Sequence, residues 1–316
     1  MATAAPSAFE RYALYLLAGL VMVLYAWGIV RTVGSSSVEG HARAESLRPL
    51  SSAAVTNAAL PRLVLADYEL SDIRSGDLAV SKIHRATPLL DLSRLTSLSE
   101  RKRFFIQLMM PLVSRANDRV LEQRSGLLDI EQKQMLGFEL SAAEMRWLAR
   151  LAEEYGIKDL DVASLKKRVD VVPPSLALAQ AAEESGWGTS RFAVEGNALF
   201  GQRVYRGEGG MVPLRRDPGK HHRVRAFDDI QESVSRYLQN LNTHWAYDKF
   251  RALRARMREA DAALDSSELV GALDKYSERG ADYIKTIRSI ISFNGLTALD
   301  RVELFGGKSL IETPGA

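Results

Sequence analysis

The sequence predicts an α+β protein that is mainly α and is preceded by one N-terminal transmembrane helix. Three observations lead to this prediction: an uncharged apolar stretch near the amino terminus, apolar residues at helical spacing after residue 98, and one glycine-rich segment between the helices. The 316 residues are 46% apolar and 26% charged. This balance is typical of folded proteins and excludes a wholly disordered, collagen-like or polytopic membrane chain.

The first element is the stretch Tyr12–Val30, which contains 19 residues and no charge. At about 1.5 Å per residue it nearly spans a hydrocarbon layer of about 30 Å, and aromatic residues lie toward both of its ends. A cleavable signal peptide is the alternative, but Ala42-Arg43-Ala44, which has the small-x-small spacing of a cleavage site, lies too far beyond the stretch for ordinary cleavage. Residues 1–32 are therefore predicted to be an uncleaved anchor, whose orientation the flanking arginines do not determine.

The chain after the anchor divides into four parts. Residues 33–60 are small, rich in serine and alanine and without periodicity, which predicts a flexible tether. Residues 61–98 mix short apolar pieces with Gly, Asp and Pro and are predicted to form short strands or an irregular wrap. The mainly helical body occupies residues 99–300, and residues 301–316 form a C-terminal tail.

Caps and apolar spacing predict the helices of this body. Ser141 and Glu144 have the spacing of a capping box, and Asp229 and Glu232 have the spacing of another. A long helix is expected from about residue 99, with Pro111 as a kink. Further helices are predicted at residues 245–258, 266–275 and 281–293.

A short alanine-rich helix carries the candidate chemistry. Pro173 favours its start and Gly186 its end, so Glu183 and Glu184 stand in its last turn. An ionised carboxylate there faces the negative end of the helix dipole, which is unfavourable by about 0.3–1 kcal/mol. This position raises the carboxyl pKa, as a general acid requires.

A glycine-rich segment follows, and it predicts a loop and a hairpin-like lobe. The stretch Arg203–Arg225 contains seven Arg or Lys residues against Glu208 and Asp217, a local charge of +5. Such a stretch either attracts an anionic polymer or is simply a solvated cationic loop. Nucleic acid is not expected as a partner, because no recognisable binding motif is present and aromatic residues do not alternate regularly with the basic ones.

The composition excludes several kinds of catalytic and metal-binding chemistry. The chain has no cysteine, which excludes disulfide frameworks, thiolate metal sites and cysteine nucleophiles. The formal charge is only +3, so net charge does not indicate a partner. The adjacent His221 and His222 lack the i, i+4 spacing of a helical metal site. Neither a metal nor a cofactor is expected.

The residues Leu176–Gly188 (LALAQAAEESGWG), followed by Asn197–Gly201 (NALFG), resemble the glucosaminidase domain of glycoside hydrolase family 73. The run Asn240–His244 is similar in particular to the membrane-tethered Bax-like proteins of Gram-negative bacteria. The resemblance covers about residues 98–295. Further segments that match the family follow in order: Arg225–Asp228, Glu232–Val234 with Tyr237, Tyr276–Ser277 and Tyr283.

The resemblance implies that residues 99–300 are a lysozyme-like catalytic domain with a small β-lobe. It implies hydrolysis of the β-1,4 bond between N-acetylglucosamine and N-acetylmuramic acid in peptidoglycan. By the same resemblance Glu184 is the general acid, and partial desolvation beside Trp187 would help to keep it protonated. Glu183 should point about 100° away around the helix and be solvated or paired.

Five other residues are candidates for the site, Tyr276 for catalysis and four for substrate binding. Tyr276 matches the family's tyrosine motif and would hydrogen-bond the attacking acetamide or water, or else only pack. Trp187 and Phe200 either stack on sugar rings or wedge the motif loop, and Asn197 is expected to turn that loop through its side chain. Tyr283 is a further substrate-binding candidate, although its helical spacing with nearby isoleucines equally fits the core.

The second catalytic carboxylate is less defined. Glycosidases usually use two carboxyl groups, separated by about 5 Å for retention or about 6.5–9.5 Å for inversion of configuration. The candidates in the lobe are Glu195, Glu208 and Asp217, of which Glu208 is the best placed. Assistance by the substrate's own N-acetyl group would make a second carboxylate unnecessary.

Two alternative functions remain open at this point. One is a lytic transglycosylase, although Asn197–Gly201 replaces the Gly-Leu-Met-Gln element expected of one. The other is a non-catalytic module that binds peptidoglycan. On the favoured interpretation the partners are glycan strands and the inner membrane, which is contacted through residues 12–30. The protein is then a single-pass inner-membrane protein with its catalytic domain in the periplasm.

Overall fold

The structure, a computed structural model, describes residues 92–204, 210–213 and 223–301 and the strand residues 303–304 and 308–309. The predicted anchor and tether, and the predicted wrap up to residue 91, lie outside the described residues. The chain divides into two units, Met1–Pro61 and Arg62–Ala316, and every described residue belongs to the second. Within the described part of the chain, no helix combines the length and apolarity needed to cross a membrane.

Helices make up most of the described chain, as predicted. Short 3₁₀ turns lie at Leu92–Arg94, Trp245–Tyr247 and Leu296–Arg301. The α-helices are α1 (Leu98–Met135), α2 (Ala142–Glu154), α3 (Val162–Arg168), α4 (Pro174–Ser185), α5 (Arg191–Gly196), α6 (Ile230–Thr243), α7 (Asp248–Glu259), α8 (Ser266–Val270) and α9 (Ala281–Phe293).

The β-structure is small. Strands β1 (Arg203–Val204) and β2 (Arg223–Val224) pair antiparallel, with Arg203 opposite Val224, and Met211 forms a further bridge to Val224. The predicted hairpin-like lobe is therefore confirmed, although its residues 205–209 and 214–222 lie outside the described part. Strands β3 (Glu303–Leu304) and β4 (Lys308–Ser309) form a second antiparallel pair in the region predicted as a tail.

Most predicted helix ends agree with the structure because they depend on local caps. Ser141 and Glu144 form the reciprocal capping box of α2, and Asp229 accepts a hydrogen bond from the Glu232 amide at the start of α6. The helix predicted over 266–275 is wrong in length, because α8 ends at Val270. The chain continues from there in i to i+3 turns, which place Leu273 in the core.

Helix α4 lies inside the body. The residues from Pro174 to Ala182 are all buried, and their small Ala and Ser side chains let α1, α9 and the turn Leu296–Arg301 pack closely around them. Pro173 offers no side chain to cap the helix. Asp300 supplies the cap instead, since it accepts the Ser175 amide at 2.7 Å and the Ser175 hydroxyl at 2.6 Å.

The segment that leads into α4 is held by a buried ion cluster. Asp170 is 2% exposed and receives two hydrogen bonds from Arg258, at 3.1 and 3.2 Å, with Arg124 at 3.6 Å and Arg254 at 3.8 Å. Burial alone would raise the pKa of Asp170, but the three guanidinium groups lower it below its ordinary value. Asp170 therefore stabilises the fold at neutral pH, and this contribution is lost as the pH falls through its lowered pKa.

Replacing Asp170 with Asn should lower the free energy of unfolding by about 3–5 kcal/mol, because it leaves buried arginines without their counter-charge. Urea denaturation at pH 7, followed by circular dichroism, measures the change. Asp161→Ala is the matched control, since Asp161 caps α3 at the surface, and its loss should cost about 1 kcal/mol. Equal losses of unfolding free energy in the two variants would show that the buried Asp170 cluster stabilises the fold no more than a surface helix cap does.

Candidate active site

An open groove of about 830 Å³ lies where α4 ends, beside the β1–β2 lobe. Its other walls are α6, the turn Trp245–Tyr247 and the loop before α9. The lining is more cationic than anionic. Its charged residues are Arg203, Arg225, Arg236, Lys275 and Arg279 against Glu184 and Glu278.

Glu184 reaches the groove from the last turn of α4. The helix stops at Gly186, which adopts a left-handed conformation with φ +59°. Gly201, at φ +60°, lies against the carboxyl group, and a Cβ added there would be 3.1 Å from Glu184 Oε2. The two sequence motifs LALAQAAEESGWG and NALFG therefore meet at this carboxyl, and glycine at 201 permits the close approach.

The surroundings raise the pKa of Glu184 above its ordinary value. Burial is the largest cause, and the neighbouring Glu183 adds to it. A hydrogen bond from Tyr283 and the charges of Arg279 and Arg203 act in the opposite direction, but they do not outweigh burial. Glu184 therefore holds its proton to higher pH than an exposed glutamate, as the sequence analysis expected of a general acid.

A buried chain of hydrogen bonds leads to Glu184. The Tyr237 hydroxyl donates to Gln180 Oε1 at 2.6 Å, so the Gln180 amide nitrogen faces and donates to the Tyr283 hydroxyl at 2.8 Å. With its oxygen accepting from Gln180, Tyr283 has its own proton available for the Glu184 carboxylate. Gln180 is 0% exposed, and sequence reasoning missed its role because nothing local marks a buried amide as part of a site.

Tyr276 and Phe200 both line the groove near Glu184. The Tyr276 hydroxyl donates to the Phe200 carbonyl at 3.2 Å, and its ring stacks on Tyr283 with centroids 5.4 Å apart. The Phe200 ring stacks on Tyr237 at 3.9 Å and is 3% exposed. Tyr276 is thus a partly buried residue of the lining whose hydroxyl proton is already used, whereas Phe200 mainly packs against the core.

The structure places three predicted substrate-binding residues away from the groove surface. Trp187 packs edge-on against Phe105, with ring centroids 5.7 Å apart. Of the two roles expected for it, this contact fits wedging of the motif loop and not stacking on sugar. Asn197 has φ +49° and donates to the Phe227 carbonyl at 3.0 Å, so it turns the loop as expected. Tyr283 is 1% exposed. It therefore acts on the site through its hydrogen bond to Glu184 and offers no surface for direct binding.

Of the three predicted candidates for a second carboxylate, the structure describes only Glu195. Glu208 and Asp217 lie outside the described residues. Glu195 lies on α5, where it pairs with Arg191 at 3.1 Å, and it does not line the groove.

Glu278, which sequence reasoning missed, lines the groove and lies 3.4 Å from Arg203 of the lobe. It directly follows the tyrosine motif, which could have drawn attention to it. Glu183 pairs with Arg279 at 2.5 Å, and this confirms the prediction that it turns away from Glu184 and is paired. Among the described residues, no group of three or more potential metal ligands comes together.

A groove of this kind, together with similarity to known proteins, identifies a glycoside hydrolase. The chain belongs to the glucosaminidase family and is an enzyme of the endo-β-N-acetylglucosaminidase type. The family model, described as mannosyl-glycoprotein endo-beta-N-acetylglucosaminidase, matches residues 161–296. Protein bax of Escherichia coli strain K12 is 35% identical over 205 residues, covering 63% of this chain and 72% of that protein. No solved structure matches the chain significantly. The family resemblance inferred from the sequence is thereby confirmed.

Replacing Tyr283 with Phe should raise the pKa of Glu184 further, because it removes a hydrogen bond that favours the ionised carboxylate. A ¹³C-carboxyl NMR titration of the full-length protein, with Glu184→Gln to assign the signal, measures the change. An activity that requires protonated Glu184 falls as the pH rises through this pKa, so its high-pH limb should move upward in the variant. Tyr276→Phe is the control, since its hydroxyl bonds to the Phe200 carbonyl. An unchanged titration in Tyr283→Phe would show that the buried chain does not tune Glu184.

Proposed function

We propose that the protein cleaves the β-1,4 bond between N-acetylglucosamine and N-acetylmuramic acid in peptidoglycan, with Glu184 as the general acid. The observation that carries this proposal is the partly buried Glu184 carboxyl, with its raised pKa, in an open groove. The excess of arginine and lysine in the lining supports peptidoglycan, because its stem peptides carry carboxylates. A lysozyme-like arrangement of the domain is part of the same proposal.

The chemistry follows from the protonation state of Glu184. Its proton passes to the glycosidic oxygen as the bond from the anomeric carbon to that oxygen breaks. Tyr276 also lines the groove, and because its hydroxyl proton is donated to the Phe200 carbonyl, its hydroxyl oxygen would accept a hydrogen bond from the acetamide or the attacking water. Water adds to the anomeric carbon and passes its proton to the group that assists the attack, or back to the Glu184 carboxylate when a glycosyl intermediate is hydrolysed. One new reducing end and one free hydroxyl result.

The group that assists the attack on the anomeric carbon has four candidates. Glu208 is the first choice from the sequence and Asp217 the second, and Glu278 is a carboxylate that lines the groove beside Arg203. Participation of the substrate's N-acetyl group needs no second carboxylate. Exchanging Glu208 and Glu278 for Gln and Asp217 for Asn, one at a time, and following the anomeric configuration of the product, distinguishes the four.

Glu184→Gln should lower the rate of peptidoglycan hydrolysis by about 10²- to 10⁴-fold, because an amide cannot supply the proton. The measurement is digestion of purified sacculi by the full-length protein in a mild detergent, with product ends read by mass spectrometry. Glu183→Gln is the matched control and should keep most of the activity, since Glu183 pairs with Arg279 and does not line the groove.

The expected products are fragments with reducing-end N-acetylglucosamine. Anhydro-muramyl ends would instead identify a lytic transglycosylase. Binding to sacculi without release of any fragment would identify a non-catalytic module. Either result contradicts the proposed hydrolysis.

The proposed location is the periplasmic side of the inner membrane, with residues 12–30 as the anchor. The support for it is the uncharged apolar stretch in the sequence and the location that a peptidoglycan substrate demands. A reporter that is active only after export, fused after Ala316, should be active in cells. A reporter that works only in the cytoplasm should be inactive at the same position, and the opposite pattern would exclude peptidoglycan as the substrate.

A further inference from the structure

Trp245 is an exposed tryptophan next to residues that line the groove, although its own side chain is not part of the lining. It opens the 3₁₀ turn Trp245–Tyr247 after α6, and 67% of the residue's surface is exposed. His244 and Tyr247, on either side of it in the chain, both line the groove. An indole is a large apolar surface that gains from being covered, and tryptophan is enriched among residues that dominate binding energies.

The position of this indole is fixed by its neighbours. His244 Nδ1 accepts the Ala246 amide at 3.3 Å and caps the turn, and the His244 ring lies 5.4 Å from the Trp245 ring. Lys275 places its ammonium group 4.9 Å from the indole centroid, and Lys275 also lines the groove. The indole therefore lies next to three residues of the groove lining, His244, Tyr247 and Lys275. The ammonium group of Lys275 makes a cation–π contact with it.

Charge and shape together indicate the ligand. A pyranose ring presents an apolar C–H face that can cover an indole, while its hydroxyl groups remain in water. Lys275 offers positive charge beside the indole and in the groove lining. A sugar that bears a carboxylate or a carboxylate-containing substituent matches both features.

We propose that Trp245 and Lys275 form a binding subsite for a further sugar of the same glycan strand, beyond the two sugars joined at the cleaved bond. The sugar ring stacks on the exposed indole, and the carboxylates of the strand's peptide substituents face Lys275. This inference rests on the proposed function, because the strand in the subsite is the strand that Glu184 cleaves.

The chain offers a matched control in Phe293. This residue is also exposed, at 82%, and it also has a lysine over its ring, with Lys102 Nζ 5.2 Å from the centroid. Phe293 does not line the groove, and neither does Lys102. Phe293 therefore reports what the loss of an exposed aromatic ring does when that ring has no place in the site.

The test is binding of the full-length protein to purified sacculi in the Glu184→Gln background, in which hydrolysis does not interfere. Trp245→Ala should weaken binding and raise the apparent Kd by about tenfold, as the loss of one stacked ring does. Trp245→Tyr should restore most of the affinity, and Phe293→Ala should leave it unchanged. In the active protein, Trp245→Ala should raise KM while kcat stays near that of the wild type.

The proposed stacking is supported if Trp245→Ala also weakens binding to glycan strands from which an amidase has removed the peptides. Lys275→Ala should then matter only while the peptides are present. Equal binding by Trp245→Ala and Phe293→Ala would overturn the subsite. So would a loss of binding that is confined to anionic phospholipid vesicles, because the indole would then contact lipid. Failure of the proposed function is seen separately, as wild-type protein that releases no fragments from sacculi.

Discussion

The burial of helix α4 is the constraint on which the rest of the site depends. A helix enclosed on nearly every side cannot rotate or slide without disturbing the core, so the last-turn carboxyl of Glu184 is held in one place. Both ends of α4 are fixed by distant parts of the chain. Asp300 caps its first turn across 125 residues, and the backbone at Gly201 covers the carboxyl at the other end.

The segment just before α4 is fixed as firmly as the helix. Asn117 of α1 accepts from the Val172 amide and donates to the Val172 carbonyl, at 3.0 and 2.8 Å. Arg254 of α7 donates to the carbonyls of Asp170 and Val171 at 3.0 and 2.8 Å. Buried backbone groups that would otherwise lack partners are satisfied in this way. Helices α1 and α7 thus position the site although neither of them lines the groove.

The acidity of Glu184 reflects opposing effects. Burial favours the protonated carboxyl, and the Tyr237–Gln180–Tyr283 chain favours the ionised one. A general acid donates its proton and is protonated again in each catalytic cycle. It therefore needs a pKa at which both the protonated and the ionised carboxyl are accessible. The same buried chain ties α6 and α9 to α4, so the packing that supports the fold also sets the chemistry of the carboxyl.

Sequence reasoning located the parts of the site that depend on local rules. Pro173 and Gly186 delimit α4, and the 100° step between successive helical residues explains why Glu183 pairs with Arg279 while Glu184 meets the groove. The family resemblance added NALFG as the second motif. Features that depend on long-range packing were not predictable in this way. Nothing beside Gln180 reveals its partners 57 and 103 residues away, and nothing beside Trp245 reveals that its neighbours line a groove.

The most direct test of the central claim is a crystal structure of the Glu184→Gln protein with a peptidoglycan fragment long enough to fill the groove. If Glu184 is the general acid, the glycosidic oxygen lies within about 2.6–3.2 Å of the residue 184 side chain, the range for proton transfer. A fragment bound in the groove with its glycosidic oxygens beyond hydrogen-bond reach of residue 184, even through one water, would show that Glu184 is not the acid.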